Sequence, residues 1–532
     1  MVAFNAPPSV GGCGTIDRFP NPSAAGRTTV IDIGSNSGRA VVIQPRAGGH
    51  LEVVEELRLP LRLGAAIDAD GRLSAEGYDR LASAIEDFLA ISRAASSERV
   101  LAVGTAALRD ATNGRELLER LRDRFGLEIR IIDGELEGHY GFLGAVHGLP
   151  VEHGMLIDIG GGSVEFARFR DRQVEGIWSF PLGTLRAGSR FLSGDPPTDE
   201  EVGELRAETE RTLRDEPIPP LKRDEVLVGT GGSIRNVAKI DRRRRRRLYP
   251  VPRLHGYGIR RGRVIKVGNL LRGMRAAERG DVPGLNSSRS ETIVAGVTVL
   301  ETIMTTLKAR SLLVSGQGLR EGVLRGTLGV LPPAELATAL PDPQVVRQAS
   351  VRALAARFTR LDEGASQRRT RMAVDLLKRA DPTLSENLRE LVGYAATLIE
   401  AGSAIDFYNR ERVAADIVMT TDLAGFSHLM IAEFSALLLL IERPRFDVHR
   451  FAPLLSADER EHLDLAAAAL ALAFELHRRI PPAATDGVRA AITKKTITIE
   501  VPVGIGTLPE SLVERVERVF GRRLRLRSAT AS

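Results

Sequence analysis

Apolar and β-branched residues crowd into short runs near the start of the patterned part of the chain. They predict three strands, at 28–32, 39–44 and 51–63, with turns at 34–38 and 47–50. The period then changes. Between 73 and 95 the apolar positions Tyr78, Leu81, Ile85, Phe88 and Leu89 fall on one face of a helix, with Ser74 as its cap. A strand at 100–103, a turn at 104–111, a helix at 115–125, a strand at 127–132 and a helix at 134–147 complete the series. The last helix opens with Glu135 and Glu137.

That order, three strands and then helix, strand, helix, strand, helix, is the order of an RNase H-like half-domain. It restarts at Met155. Strands begin at Met155, Ser163 and Gly176, followed by a segment at 182–192 and a helix at 198–214. A strand at 225–228 runs into a Gly-rich turn at 229–235. Helices at 259–279 and 290–308, a strand at 311–314 and a short helix close the second series. Pro332-Pro333 and Pro341-Asp-Pro343 mark a boundary. Beyond it the pattern is helical to about residue 480. After Pro481-Pro482 a strand at 496–501, a helix at 509–520 and a strand at 524–527 remain. The expected architecture is α/β: two RNase H-like half-domains, 27–150 and 151–335, around a cleft, then an all-α domain at 345–480 and a small α+β piece at 485–532.

Composition narrows this only slightly. A chain of 532 residues is too long for one core. Its 43% apolar and 27% charged residues are those of a globular protein. A net charge of +6 favours a polyanionic ligand, but mildly. The single cysteine, Cys13, excludes an internal disulfide and any multi-cysteine metal site. The most apolar runs, 429–441 (broken by Glu433) and 465–474, are too short to span a membrane. Residues 1–26 have neither the basic nor the apolar region of a secretion leader and read as a disordered extension. A cytoplasmic protein is expected.

The chemistry begins with a duplication. Ile31-Asp32-Ile33-Gly34-Ser35-Asn36-Ser37 and Ile157-Asp158-Ile159-Gly160-Gly161-Gly162-Ser163 share Ile-Asp-Ile-Gly and a Ser three residues later. Each is a strand ending in a carboxylate, followed by a turn whose backbone N–H groups can cradle a phosphate. Ser35, Asn36 and Ser37 form one candidate cradle, and Gly160, Gly161, Gly162 and Ser163 the other. A third turn offers Gly231, Gly232 and Ser233. Asp32 and Asp158 are candidate metal carboxylates. Arg109 ends a strand-to-helix turn, where it can clamp phosphate oxygens. Glu137 lies on the next helix, and Glu165 just past the second cradle. Hydrolysis of a phosphoanhydride needs such a set: cradle, metal, cation, and a group that orients or deprotonates water.

In these segments, together with Gly104-Thr-Ala-Ala-Leu-Arg-Asp-Ala111, Asp133-Gly-Glu-Leu-Glu-Gly138, the turn at 229–233 and Gly318-Leu-Arg-Glu-Gly-Val323, the chain resembles the exopolyphosphatase and guanosine pentaphosphate phosphohydrolase family. That family lies within the actin, sugar-kinase and heat-shock-chaperone superfamily. The resemblance covers residues 28–330. It implies that Glu137 is the base acting on the attacking water, that Asp158 and Glu165 place metal and water, and that Arg109 contacts phosphate. It implies Mg²⁺ as cofactor and a homodimer. One departure is visible: a second acid often precedes that glutamate in the family, where this chain has Leu136.

Two stretches lie outside the cleft. Arg242, Arg243, Arg244, Arg245, Arg246 and Arg247 form a run that reads either as a solvated loop or as a guide for a long polyphosphate chain. No aromatic interleaving supports a specific nucleic-acid site. The helical stretch stands where longer family members resemble an HD-type phosphohydrolase domain. Here Ile399-Glu400 and Glu442 occupy positions where metal-binding His and Asp are expected, so no metal chemistry is expected there. The expected function is release of terminal orthophosphate from inorganic polyphosphate. Hydrolysis of pppGpp at the same site is the alternative, and a polyphosphate- or alarmone-sensing regulator is the non-enzymatic one.

Overall fold

The computed structural model describes residues 26–46, 50–216, 218–245, 249–328, 339–358, 363–442 and 448–528. The predicted 1–26 extension, with Cys13, falls almost wholly outside them. In the first lobe β1 (Thr28–Ile33), β2 (Ser37–Pro45) and β3 (Leu51–Pro60) form a meander. α1 (Ala75–Ala94), β4 (Arg99–Gly104), α2 (Ala106–Asp110), α3 (Gly114–Phe125), β5 (Ile129–Ile131) and α4 (Gly134–Ala145) follow. The sheet order is β3-β2-β1-β4-β5, with β4 and β5 joined in parallel through crossovers. β1 lies at its centre and is buried on both faces, so its sequence Thr-Thr-Val-Ile-Asp-Ile shows no alternation. α1 starts where expected: Ser74 Oγ accepts from Gly77 N at 3.2 Å.

The second lobe repeats the plan with β6 (Gly154–Ile159), β7 (Val164–Arg170), β8 (Gln173–Phe180), α5 (Thr184–Phe191), α6 (Asp199–Asp215), β9 (Val226–Gly231) and α7 (Gly232–Arg244). β10 (Tyr257–Arg260), α8 (Arg261–Arg272), α9 (Ala276–Arg279), α10 (Ile293–Thr306), β11 (Ser311–Val314) and α11 (Leu319–Leu328) complete it. Its sheet order is β10-β11-β9-β6-β7-β8. The expected helix at 259–279 is corrected at its start. Tyr257 and Ile259 are buried while Gly258 and Arg260 are exposed, a period of two, and β10 pairs antiparallel with β11. The turn expected at 229–235 becomes helical at Gly232, and α7 runs on through Arg244. The arginine run therefore starts in a helix and not in a loop, and Arg246 and Arg247 lie outside the described residues.

The two lobes exchange one helix each. α4 leaves its own sheet and packs on β6, β7 and β8, while α11 packs back against β1. The two exchanged helices cross at glycines: a Cβ on Gly322 would lie 1.7 Å from Tyr140 O, and one on Gly144 1.8 Å from Gly318 O. Only residues without a side chain allow so close a crossing. One apolar cluster, with Val30, Tyr140, Phe142, Leu156, Phe169 and Leu324, joins both lobes here.

The helical part comprises α12 (Pro343–Ala355), α13 (Glu363–Ala380), α14 (Glu386–Ser403), α15 (Arg410–Thr420), α16 (His428–Glu442) and α17 (Ala457–His477). β12 (Arg489–Ile492), β13 (Thr496–Val501), α18 (Glu510–Phe520) and β14 (Arg523–Ser528) follow. The small α+β piece expected at 485–532 forms its own sheet, β12-β13-β14, and shares a core with the helices. Ile497, Ile499, Val501, Val516 and Phe520 belong to the same core as the helices, and Arg515 donates to Leu440 O and Ile441 O, capping α16. Ile399 is buried in this core, and Glu400 pairs with Arg369 at 2.7 Å. The helical part meets the second lobe through His428: Tyr249 Oη donates to Nδ1 at 2.6 Å, and Nε2 donates to His255 O at 2.9 Å. Among the described residues no helix is long and apolar enough to cross a membrane.

Candidate active site

Asp32 and Asp158 hold equivalent places, one residue from the ends of β1 and β6. On the neighbouring strands Asp32 faces Arg39 and Asp158 faces Glu165. Each strand turns through the same bond, Gly34 N to Ser37 O at 3.2 Å and Gly160 N to Ser163 O at 3.0 Å. The cradle carbonyls are tied back into their own lobes. Asn36 O accepts from Leu61 N and Arg62 N, Ser35 O from Gly64 N, Gly160 O from Thr184 N and Gly161 O from Leu185 N. A peptide N–H points opposite to its carbonyl, so the N–H groups of these turns are directed away from the lobes and towards the cleft. The cradles touch: a Cβ on Gly162 would lie 2.7 Å from Ser35 Oγ, and one on Gly161 3.3 Å from Asn36 N. Arg186 on α5 and Asp110 on α2 latch the lobes beside them at 2.5 Å.

Glu137 sits in the first turn of α4, which Asp133 caps through Leu136 N. Arg109 Nη1 donates both to Ile132 O at 3.0 Å and to Glu137 Oε2 at 3.1 Å, so the arginine expected on phosphate also fixes the expected base. Burial pushes the Glu137 carboxyl up to about 8; Arg109 opposes this, and Asp158 and Asp32 add to it. Burial pushes Asp158 to about 6, with Asp32 contributing, and raises Asp32 itself. Glu165 is 2% exposed, takes a hydrogen bond from Ser179 Oγ at 3.1 Å, and is raised by burial, Glu137 and Asp158. Four carboxyls from four elements thus gather in one cleft. Among the described residues no trio of metal-ligating side chains converges as a ready-made cage. The facing Asp32 and Asp158 suit a hard cation that keeps part of its water shell.

Not every expected residue arrives. The Ser233 hydroxyl is buried and packs towards Gly296 on α10, so it does not reach the cleft. Arg243 and Arg244 are exposed at the far end of α7. In their place the structure supplies cations that the sequence reading passed over. Arg320 Nη1 lies 3.9 Å from Asp32 Oδ2, and Arg235 Nη1 donates to Gly316 O at 3.2 Å. Arg39 is pushed down to about 9 by burial and by the charges of Arg320 and Arg235. Arg289 is pressed against Gly232, and Arg58 feels Arg320. Behind Arg39 and Arg320 a cavity of about 420 Å³ opens towards Arg325 and, on the helical part, Arg357. Arg320 and Arg235 stand inside motifs that the sequence singled out for other residues, which was the available signal.

Comparison with known proteins bears on the family and the fold. Residues 41–330 match the model of the Ppx/GppA phosphatase family, and residues 346–508 that of Ppx/GppA phosphatase, domain III. The chain is 29% identical over 306 residues to Exopolyphosphatase 1 of Mycobacterium tuberculosis, covering 56% of this chain and 87% of that protein. An exopolyphosphatase structure from Cytophaga hutchinsonii matches with a TM-score of 0.51 at 22% identity, over 57% of this chain and 99% of its own. The Aquifex aeolicus Ppx/GppA family structure matches at 30% identity with a TM-score of 0.49, over 56% and 96%. Two duplicated acid-tipped cradles, the crossing helices between them and the matched family models lead to one conclusion: the chain belongs to the Ppx/GppA phosphatase family, hydrolases of phosphoanhydrides.

Proposed function

We propose that this chain is a Mg²⁺-dependent exopolyphosphatase that removes orthophosphate from the end of inorganic polyphosphate, with Glu137 as the base. The observation that carries this is the placement of Glu137, held by Arg109 and facing Asp32 and Asp158 between two touching cradles. The terminal phosphoryl group lies against the cradle N–H groups, which stabilise its spreading charge. Glu137 accepts a proton from a water that Asp158 and Glu165 orient. The water oxygen bonds to the terminal phosphorus as the bridging P–O bond breaks, and the bond pair leaves with the shortened chain. Asp32 and Asp158 would hold Mg²⁺, which when bound would supply charge neutralisation at the phosphate oxygens.

Polyphosphate is favoured over pppGpp because cations continue along the cleft wall. Arg235, Lys239 and Arg242 recur at i, i+4 and i+7 on α7, one face of the helix. Lys239 feels Arg39 and Arg58 across the cleft as well as Arg235 and Arg242 on its own helix. A long polyanion can use every one of these charges, and Arg243 and Arg244 add to them at the end of the helix.

The test is orthophosphate release from long-chain polyphosphate and from pppGpp, side by side, with Mg²⁺. Wild type should release it from polyphosphate, and Glu137→Gln should lose about 10²–10⁴-fold in kcat. No release by wild type from polyphosphate would sink the assignment, and release from pppGpp alone would replace the substrate. An unaffected Glu137→Gln enzyme would remove the base.

A further inference from the structure

The outer face of the second lobe concentrates positive charge that the cleft does not use. β10 ends and α8 begins at Arg260 and Arg261. With Arg263, Lys266 and Arg310 they surround an open hollow of about 420 Å³. Arg260, Lys266, Lys308 and Arg310 are exposed. The only acid on α7, β10 or α8 is Asp241, which is 2% exposed and already engaged by Tyr257 Oη at 2.6 Å and Arg263 Nε at 2.5 Å. The summed positive charge of such a face favours a polyanion lying across it.

The hollow is connected to the cleft. The Arg235, Lys239, Arg242 stripe leads down α7, and Arg242 ends beside Tyr249 and Tyr257, the first residue of β10. The Asp241–Arg263 pair ties α7 to α8 at the same level. With 13 residues, α7 separates the hollow from the third turn by about 20 Å.

We propose that the β10–α8 face is a second anchoring surface for the polyphosphate chain, gripping its distal part while the terminal phosphate is hydrolysed in the cleft. This rests on the exopolyphosphatase reading. Its consequence is a dependence on length. A chain that spans about 20 Å gains the anchor, and one of a few phosphates does not reach it.

The experiment uses the full chain with Arg260→Ser, Arg261→Ser, Lys266→Ser and Arg310→Ser combined, and the milder pair Lys266→Ser with Arg310→Ser should the combination fail to fold. Arg263 is left to hold Asp241. Orthophosphate release is measured from long-chain polyphosphate and from tripolyphosphate. Binding of labelled long-chain polyphosphate is measured in a Glu137→Gln background across a salt series. Expected are a KM for long chains raised about 10-fold, a shallower salt dependence of binding, and unchanged kinetics on tripolyphosphate. Equal effects on long and short chains, or none, overturn the proposal. So does loss of single-stranded RNA binding with polyphosphate binding intact, which would make the face a nucleic-acid site. The two readings fail separately. Variant-sensitive binding in a wild type that releases no orthophosphate sinks the exopolyphosphatase reading and leaves the anchor. Orthophosphate release with variant-insensitive binding does the reverse.

Discussion

Glu137 is expensive to keep. Its carboxyl is pushed from an ordinary 4.5 to about 8 by burial, against the pull of Arg109. As the proposed base, Glu137 must be ionised, so kcat/KM should fall as pH drops through the raised range of its carboxyl, about 8. Arg109→Met removes the charge that lowers this value. The acid limb of the pH–rate profile should then move upward by about one unit, and an unmoved limb would show that the ion pair is inconsequential. The same shift has a sign for stability. A folded value above the unfolded one means stability present at low pH and lost as pH rises from 4.5 towards 8. Glu137→Gln should therefore melt higher than wild type at pH 8 without metal and hardly differ at pH 5, while kcat falls about 10²–10⁴-fold. At this scale the acids were legible, because each sits in a motif with a steric reason for its glycines. Of the cleft's cations only Arg109 was. Arg39 and Arg58 lie on strands, where a lone arginine reads as solvated, and only strand pairing sets Arg39 opposite Asp32.

Most strands and helices were legible from period alone, including the repeat that doubles the first lobe. What escaped was decided by partners far along the chain. Ile259 and Arg260 read as the start of a helix because nothing local shows that β11 needs an edge partner. Ser233 reads as a cradle residue because its turn is Gly-rich, yet α10 claims its side chain. The exchange of α4 and α11 between lobes is invisible in any pattern. It is testable at Gly322, where a methyl group would meet the Tyr140 carbonyl. Gly322→Ala should cost about 1–3 kcal/mol in thermal or denaturant unfolding and should lower kcat with it, since Glu137 and Arg320 ride on the two displaced helices. A stable, fully active variant would show that the crossing tolerates separation.

For the whole molecule, the joint between the second lobe and the helical part matters most. His428 is buried, and burial pushes it down to about 3, so it stays neutral between Tyr249 and the His255 carbonyl. A histidine depressed in the folded state contributes stability above its unfolded value near 6.5, and that stability is lost as pH falls towards 3. The melting temperature should drop in that window, and His428→Gln, neutral at every pH, should flatten the drop. A lone histidine in a helical pattern gave no sign of this role, because its partners lie 173 and 179 residues away. The small C-terminal piece leans on the helices for a related reason. Its strands are too few to bury their own apolar faces, and the helices cover them.

The glycine crossing of α4 and α11 makes the catalytic half a pair of shears. Helices crossed this closely on glycines can turn about the crossing at Gly144 and Gly322 more readily than they can be drawn apart. Points near a fulcrum travel least. Glu137, seven residues from Gly144, and Arg320, two from Gly322, are placed where such a turn would disturb them least.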